Sequence, residues 1–158
     1  MIVPGAGGRW FEDLVVGDVY AHAVRRTVSE ADNILFTCLT MNPQPLHLDE
    51  TYGAASEFGG RIVNSLYTLG LLIGLTVTDL TMGTGIANLG FDAVTFPRPV
   101  FHGDTIGAET EIIASRPSKS RPAAGIVTFE HRASNQHGEI VVVARRATLM
   151  HRRPPPAA

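Results

Sequence analysis

The chain has 158 residues, of which 44% are hydrophobic and 18% charged, and its formal net charge at pH 7 is -2. These values indicate one globular domain with a real core, and they argue against disorder and against a surface built for nucleic acid. The single cysteine, Cys38, excludes an internal disulfide and a cysteine-rich metal site. Its apolar surroundings, "ILFTCLT", predict a buried thiol.

We expect a single domain over residues 1–158, ordered from about residue 10 to residue 153, with flexible ends that are rich in Gly and Pro. The opening "MIVPGAGGRW" has no apolar signal-peptide core, and the longest apolar run, "LGLLIGLTV", is too short to span a bilayer. A cytoplasmic location is therefore the expectation.

Two amphipathic or capped helices are predicted in the first half of the chain. Ser29 is a candidate N-cap for the first, in which Ile34, Leu35 and Cys38 fall at helical spacing. Asp49 is a candidate N-cap for the second, which would stop near residues 59–60, a Gly-Gly pair.

The third predicted helix, "IVNSLYTLGLLIGLTVTDL", is apolar on nearly all faces, so we expect it to be buried at the centre of the fold. Gly70 and Gly74 would let another backbone approach one side of it. From Ala87 onward the pattern changes to strands, and "QHG" joins the last two as a hairpin. Helices followed by antiparallel strands indicate an α+β domain, with a curved sheet wrapped around the central helix.

The stretch "TMNPQPLHLDE" is the first candidate for chemistry. Two prolines stiffen the segment that presents His47, which is either a half-buried histidine satisfied by backbone or a general acid–base group. Asn42 can equally be a turn former that bonds its own backbone. Asp49 is better explained as a helix cap than as a catalytic group.

Asn64 and Ser65 precede the central helix. First-turn N–H groups of a helix are unpaired donors, and they can form an oxyanion hole or simply start an ordinary helix. In "SRPSKSRP" the cationic side chains form a solvated face or seat an anionic group. His102 stands at a turn, where a surface role is favoured. The other histidines have no metal-ligand spacing, so no metal is expected.

These residues resemble the MaoC-like dehydratases, the (R)-specific enoyl-CoA hydratases of the hotdog fold. The resemblance covers roughly Trp10 to Arg153, and "NPQPLHLDETYGAASEFGGRIVNSLYTLGLLIGL" is similar to the family signature. "RWFEDLVVGDVY", "FPRPVFHGDTI" and "NQHGEIVVVARRATLM" are also typical of it. The resemblance implies a single hotdog domain that assembles as a homodimer or higher oligomer. It also implies reversible hydration of a 2-enoyl-CoA thioester, with coenzyme A as part of the substrate and no separate cofactor.

Carried over residue by residue, the resemblance makes His47 the catalytic histidine and places Asn42 where the family has its catalytic Asp. Gln44 falls on the family's Asn beside Pro45. Asn64 and Ser65 replace a His-Gly pair, so the oxyanion donor would be the Ser65 N–H.

An amide cannot take a proton from water as a carboxylate does, which leaves three alternatives. In the first, Asn42 only orients the water and His47 transfers the proton alone. In the second, another acid enters the pocket, and in the third, hydratase activity is lost. The candidate acids are Glu50, Glu57 and Asp92.

A subgroup that includes mesaconyl-CoA and itaconyl-CoA hydratases and β-methylmalyl-CoA dehydratase-type proteins shares these departures. That likeness suggests a short branched or dicarboxylic acyl-CoA, whose anionic tail would need a cation such as Arg61, Arg98 or Arg121. Two rival functions are a hotdog acyl-CoA thioesterase and a non-catalytic acyl-CoA-binding module. The first is disfavoured because the central helix has no acid before Asp79, whereas Asn42 supports the second.

Overall fold

A computed structural model describes residues 7–155, which contain four helices and one antiparallel sheet. The helices are α1 (Glu30–Leu39), α2 (Pro45–Leu48), α3 (Glu50–Ala55) and α4 (Ser65–Leu80), and a 3-10 turn covers Phe11–Asp13. The strands are β1 (Val19–Ala21), β2 (Arg26–Thr27), β3 (Gly85–Thr95), β4 (Thr105–Pro117), β5 (Ala124–Ser134) and β6 (Ile140–His151). The expected flexible termini fall largely on residues 1–6 and 156–158, which lie outside the described residues.

The sheet runs in the order β1-β4-β5-β6-β3, and β2 pairs with the start of β4. All pairings are antiparallel, with register shifts in the β3–β6, β4–β5 and β5–β6 ladders. The predicted hairpin is confirmed, with Gly138 at φ 77° in the turn between β5 and β6. A positive φ of this kind favours glycine, which has no Cβ to clash. The α+β arrangement expected from the sequence is therefore confirmed.

Helix α4 packs its buried face on the sheet through two apolar clusters. Leu72 and Leu75 pack with residues that include Val28, Ile106 and Val142. Nearer its C-terminal end, Leu80 packs in a second cluster with residues that include Tyr20, Ile112, Phe129 and Met150. Burial of this face is the main source of stability, since large apolar side chains leave water on both sides of the contact.

The opposite face of α4 is open, which corrects the expectation of a helix buried all round. Leu66, Gly70 and Gly74 are exposed, and no other atom of the described residues lies within 4 Å of a Cβ built on either glycine. The backbone approach expected at these glycines therefore does not occur among the described residues. A helix with no polar face then leaves apolar surface uncovered.

Helix α1 begins as expected but buries a different face. Ser29 Oγ accepts the Asp32 N–H at 3.2 Å, and the Asp32 carboxylate accepts the Ser29 N–H at 2.9 Å, forming a capping box. The buried side chains are the polar Asn33 and Thr37. Cys38 is exposed, so the prediction of a buried thiol is wrong. Hydrogen bonds from Asn33 and Thr37 hold their face of α1 against the rest of the fold, so the apolar face of the helix points to solvent.

Helix α3 is shorter than its sequence pattern indicates. Asp49 Oδ1 accepts the Tyr52 N–H at 3.0 Å, which confirms the capping role. The helix ends at Ala55, before the two glycines, because Ser56 is extended and its N–H bonds back to Gly53. Among residues 7–155, no helix combines the length and apolarity needed to cross a membrane.

Candidate active site

The loop before His47 is rigid because its polar groups bond one another. The Asn42 N–H donates to the Thr37 carbonyl at 3.0 Å, and Asn42 Oδ1 accepts the Gln44 N–H at 3.0 Å. Pro45 then opens α2 at a position where its missing N–H costs nothing. Asn42 is thus a turn former, which was one of the two interpretations of its sequence. Its carboxamide oxygen accepts a hydrogen bond within the loop.

His47 has one ring nitrogen fixed by the backbone. Its Nδ1 lies 2.9 Å from the Ile62 carbonyl oxygen, and a carbonyl can only accept. Nδ1 therefore carries the proton, and in the neutral ring Nε2 is left as the basic nitrogen. A histidine held in this tautomer can take a proton from water through Nε2.

The buried carboxamide of Asn33 joins the His47 segment to the start of α4. Its Nδ2 donates to the His47 carbonyl at 3.1 Å, and its Oδ1 accepts the Asn64 N–H at 2.9 Å. The Asn64 backbone N–H can only donate, so the orientation of the amide is fixed. Asn33 is fully buried and holds three separate segments together.

The first turn of α4 offers a free donor next to this junction. Asn64 caps the helix by accepting the Leu66 N–H at 3.0 Å. Among residues 7–155, the Ser65 N–H has no hydrogen-bond acceptor. Ser65 lines a mainly apolar cavity of about 260 Å3, whose other walls include Phe58, Ile62 and Val141. An unpaired N–H at a helix N-terminus, on a residue that lines such a cavity, is suited to polarise a carbonyl oxygen.

His102 belongs to the site, which corrects its assignment to the surface. Its Nε2 accepts from Asn33 Nδ2 at 3.0 Å, so its neutral ring carries the proton on Nδ1. Burial lowers the pKa of His102, and the nearby positive charge of Arg61 lowers it further. The ring is therefore held neutral beside the junction that Asn33 makes.

The three arginines expected to bind a substrate carboxylate differ in their ion-pair partners and in their distance from the site. Arg61 donates to Glu50 at 2.7 Å and to Glu30 at 2.5 Å, so its charge is already compensated. Arg98 lines the cavity beside Ser65, with Glu139 at 3.4 Å as its ion-pair partner. Arg121 lies in the loop between β4 and β5, at the end of β4 remote from Thr105 and the α4 N-terminus. Their binding roles stay predictions.

The candidate acids do not replace the missing carboxylate within one chain. Glu50 is bound to Arg61, and Glu57 and Asp92 are exposed. The cavity beside Ser65 has no acidic residue among its described lining residues, and His47 and Gln44 do not line it either. His47 is connected to Ser65 through the segment from Ile62 to Asn64.

Two site residues, Asn33 and His102, have no signal in the sequence that identifies them. Asn33 reads as one more polar residue of an amphipathic helix, and His102 as a turn histidine. In the described residues no group of three or more His, Cys, Asp or Glu side chains is placed to hold a metal. The expectation of no metal stays a prediction.

The sequence and the fold of the chain are similar to those of known proteins. The chain is 34% identical over 146 residues to a mesaconyl-CoA hydratase from Cereibacter sphaeroides, covering 92% of this chain and 42% of that protein. It thus spans less than half the length of that relative. It is also 30% identical over 141 residues to an (R)-specific enoyl-CoA hydratase from Rhodospirillum rubrum, covering 89% of this chain and 90% of that one.

Solved structures place the chain in the hotdog class. A MaoC-like dehydratase from Rhodospirillum rubrum superposes with a TM-score of 0.84 at 36% identity, covering 94% of this chain and 100% of that one. A double hotdog protein from Mycobacterium tuberculosis superposes with a TM-score of 0.84 at 23% identity, covering 96% of this chain and 47% of that one, which supports the fold alone. The model of the MaoC like domain matches residues 13–135. The chain belongs to the MaoC-like domain family, as its motifs predict.

Removing the Asn33 carboxamide should destabilise the protein. Asn33→Ala leaves the buried Asn64 N–H and the His47 carbonyl without their partner, at a cost of about 2–4 kcal/mol in the free energy of unfolding. Urea denaturation measures this change. The control is Lys119→Ala, an exposed residue in the loop between β4 and β5, which should shift it by less than about 0.5 kcal/mol. A loss at position 33 no larger than in the control would contradict the role of Asn33.

The neutral His102 should make stability depend on pH. Because its folded-state pKa lies below the ordinary value of 6.5, the unfolded chain takes up the proton first as the pH falls. Its contribution is therefore complete above about pH 6.5 and is lost as the pH falls towards the folded-state pKa. NMR titration of the ring should give a pKa below 6.5.

His102→Gln keeps an acceptor for Asn33 and cannot titrate, so it is the matched control. The pH dependence of the free energy of unfolding should be shallower in this variant between neutral and mildly acidic pH. Identical slopes in the two proteins would rule out His102 as the group responsible.

Proposed function

We propose that this chain adds water reversibly to the double bond of a 2-enoyl-CoA thioester. The observation that carries the proposal is the His47 Nδ1 bond to Ile62, which leaves Nε2 basic on the segment that leads to the free Ser65 N–H. The named activities of the relatives described above support the same reaction class. A short branched or dicarboxylic acyl group is the proposed substrate, by similarity to the mesaconyl-CoA hydratase.

His47 performs both proton steps in this proposal. The thioester oxygen accepts the Ser65 N–H, which draws electron density away from the β-carbon. His47 Nε2 removes a proton from water while the water oxygen bonds to the β-carbon. The resulting imidazolium then returns that proton to the α-carbon. One water is consumed, no other reactant is needed, and His47 ends in its starting state.

Asn42 has a supporting role, because an amide cannot act as the base. Oδ1 accepts the Gln44 N–H, and the NH2 group and the second lone pair of Oδ1 are left to orient water. The non-catalytic binding module remains the second candidate on this ground. A thioesterase has less support, since Asp79 on α4 is bonded to His22 at 2.7 Å and lies at the end of the helix remote from Ser65.

The chain is proposed to act as a homodimer that pairs through β3. This strand is an edge of the sheet, and large apolar side chains along or just after it are exposed, with Leu89 at 51% and Phe91 at 40%. Unpaired apolar edges invite pairing with another chain. The uncovered faces of α1 and α4 add apolar area that a second subunit would bury. A cytoplasmic location also stays a prediction, which cell fractionation would test.

Loss of the His47 imidazole should abolish hydration. His47→Ala is expected to lower kcat by about 10²–10⁴-fold, the usual contribution of a general acid–base group. The loss of enoyl absorbance is followed for a panel that includes crotonyl-, mesaconyl- and itaconyl-CoA. His137→Ala, in the exposed β5–β6 turn, is the matched control and should retain activity. An unchanged rate in His47→Ala would refute the assignment.

Asn42→Asp distinguishes the two functions in the same assay. Activity in the wild type supports the hydratase. An inactive wild type together with an active Asn42→Asp variant would establish the binding module instead. Free thiol release in place of hydration would establish the thioesterase.

A charge on β3 should dissociate the dimer. Leu89→Asp places a carboxylate in the proposed contact, whereas Val24→Asp changes an equally exposed apolar residue outside β3. Analytical ultracentrifugation should give twice the 17.0 kDa chain mass for the wild type and the control, and the monomer mass for Leu89→Asp at low micromolar concentration. A monomeric wild type would contradict the proposal.

A further inference from the structure

A continuous line of hydrogen bonds crosses the interior of the fold away from His47. It starts at Arg146 on β6, whose Nε donates to His131 Nε2 at 2.9 Å. His131 Nδ1 lies 2.7 Å from Thr110 Oγ1, which in turn lies 2.9 Å from His22 Nε2. His22 Nδ1 ends the line 2.7 Å from an oxygen of Asp79.

The line has one direction, because its first member can only donate. An arginine donates to His131 Nε2, so the His131 proton is on Nδ1 and is donated to Thr110. The Thr110 hydroxyl is then left to donate to His22, and His22 Nδ1–H to Asp79. Burial holds the pKa of His131 well below its usual value, as a neutral ring in this position requires.

The line of hydrogen bonds uses Nε of Arg146 and leaves its Nη2 without a partner in the described part of the chain. Arg146 is only 5% exposed and stacks over the Phe129 ring at 5.7 Å. Its buried Nη2 has no acceptor among residues 7–155, and the same is true of Thr148 Oγ1, on a residue 3% exposed. Burial lowers the pKa of Arg146 to about 10, so the guanidinium is still charged at neutral pH.

Both residues line one cavity of about 230 Å3 between the end of α4 and the start of β3. Its other described lining residues carry no charge, namely Thr81, Gly85, Ile86, Ala87 and Asn88. A buried cation without an ionic partner is costly, and an anion that enters the cavity would offset the cost. The unpaired donors of these two residues, Arg146 Nη2 and Thr148 Oγ1, are closed off from solvent, so an anion in the cavity would meet them after a small shift of the two side chains.

We propose that Arg146 and Thr148 form a binding site for a carboxylate, with one carboxylate oxygen on Arg146 Nη2 and the other on Thr148 Oγ1. A carboxylate has two acceptor oxygens and one negative charge, which match these two donors and the single cation. A phosphate dianion fits less well, because the cavity lies at the C-terminal end of α4, where the helix dipole is negative.

The carboxylate has two possible sources with the same chemistry, a small free acid or the distal carboxylate of a dicarboxylic acyl thioester. The second source rests on the proposed function. Ser65 and the Arg146 cavity lie at opposite ends of α4, which at 16 residues is about 24 Å long. A four-carbon acyl group held at Ser65 is too short to reach the Arg146 cavity of the same chain, so the second source requires the Arg146 cavity of a second subunit.

The first experiment uses free carboxylate. Sodium propionate and sodium chloride are compared at equal ionic strength in thermal unfolding of the wild type, Thr148→Val and Thr148→Ser. Ligand binding to the folded state raises Tm. Propionate should raise Tm more than chloride in the wild type and in Thr148→Ser, which keeps the hydroxyl. Thr148→Val, which keeps the shape, should need about tenfold more propionate for the same shift.

The second experiment identifies a thioester as the source. Succinyl-CoA and butyryl-CoA both have four-carbon acyl groups, differ in the distal carboxylate, and have no double bond to hydrate. Calorimetric titration should show that Thr148→Val weakens binding of succinyl-CoA about tenfold and leaves butyryl-CoA unchanged. Because neither ligand turns over, this arm is informative even if the protein is not a hydratase.

Selective dependence on the Thr148 hydroxyl in either experiment supports the site. A propionate effect alone assigns a free acid, and a succinyl-CoA effect alone assigns the acyl group. The proposal is overturned if propionate behaves as chloride does and Thr148→Val also binds succinyl-CoA as the wild type does. It is equally overturned if Thr148→Val retains the full propionate effect and the full succinyl-CoA affinity.

Discussion

The candidate site depends on one buried carboxamide. Asn33 bonds the His47 carbonyl, the Asn64 N–H and the His102 ring at once, so α1, the α2 segment and the start of α4 share one point of attachment. Each of these partners would otherwise be a polar group left unpaired in the interior, and such groups cost more than an ordinary hydrogen bond gains. The geometry of His47 relative to the first turn of α4 follows from this constraint.

The same constraint bears on the proposed base, because the loop before His47 has no carboxylate in the place where the family has its catalytic Asp. The Ile62 carbonyl fixes the His47 tautomer, and Ile62 lies two residues before Asn64, the N-cap of α4. The orientations of the His47 ring and of the unpaired Ser65 N–H, the proposed base and oxyanion donor, thus both depend on one short segment. Asn42 Oδ1 accepts the Gln44 N–H and so helps to fix the loop, and its proposed role is to orient water. Glu50, one of the candidate acids, instead compensates Arg61.

Local signals account for what could be predicted from the sequence. The caps at Ser29 and Asp49 and the turn at Gly138 act over three or four residues, so the residues themselves specify the structure. The family resemblance supplied the fold and the position of His47. The prediction that Cys38 is buried was wrong for the opposite reason. The helical spacing of α1 shows which residues share a face, but it does not show which face points inward. The polar pair at positions 33 and 37 decides that through bonds to distant segments.

Long-range polar pairing was not predictable for the same reason. The bonds from Asn33 to His102 and from Arg146 to His131 join residues 69 and 15 positions apart, and no local pattern marks either pair. The exposed edge of β3 and the open face of α4 are also properties of the assembled chain. They show surface that a partner would cover, whereas the sequence showed only apolar residues.

The stereochemistry of hydration tests the central claim, that His47 alone moves both protons, most directly. A single imidazole removes the proton from water and returns it to the α-carbon from the same face of the double bond, so hydration should be a syn addition. The reaction is run in D2O with the enoyl-CoA that the protein hydrates, and the relative configuration at the α- and β-carbons is read from proton NMR couplings. Syn addition is the result this account predicts. Anti addition would require a second acid on the opposite face and would contradict it.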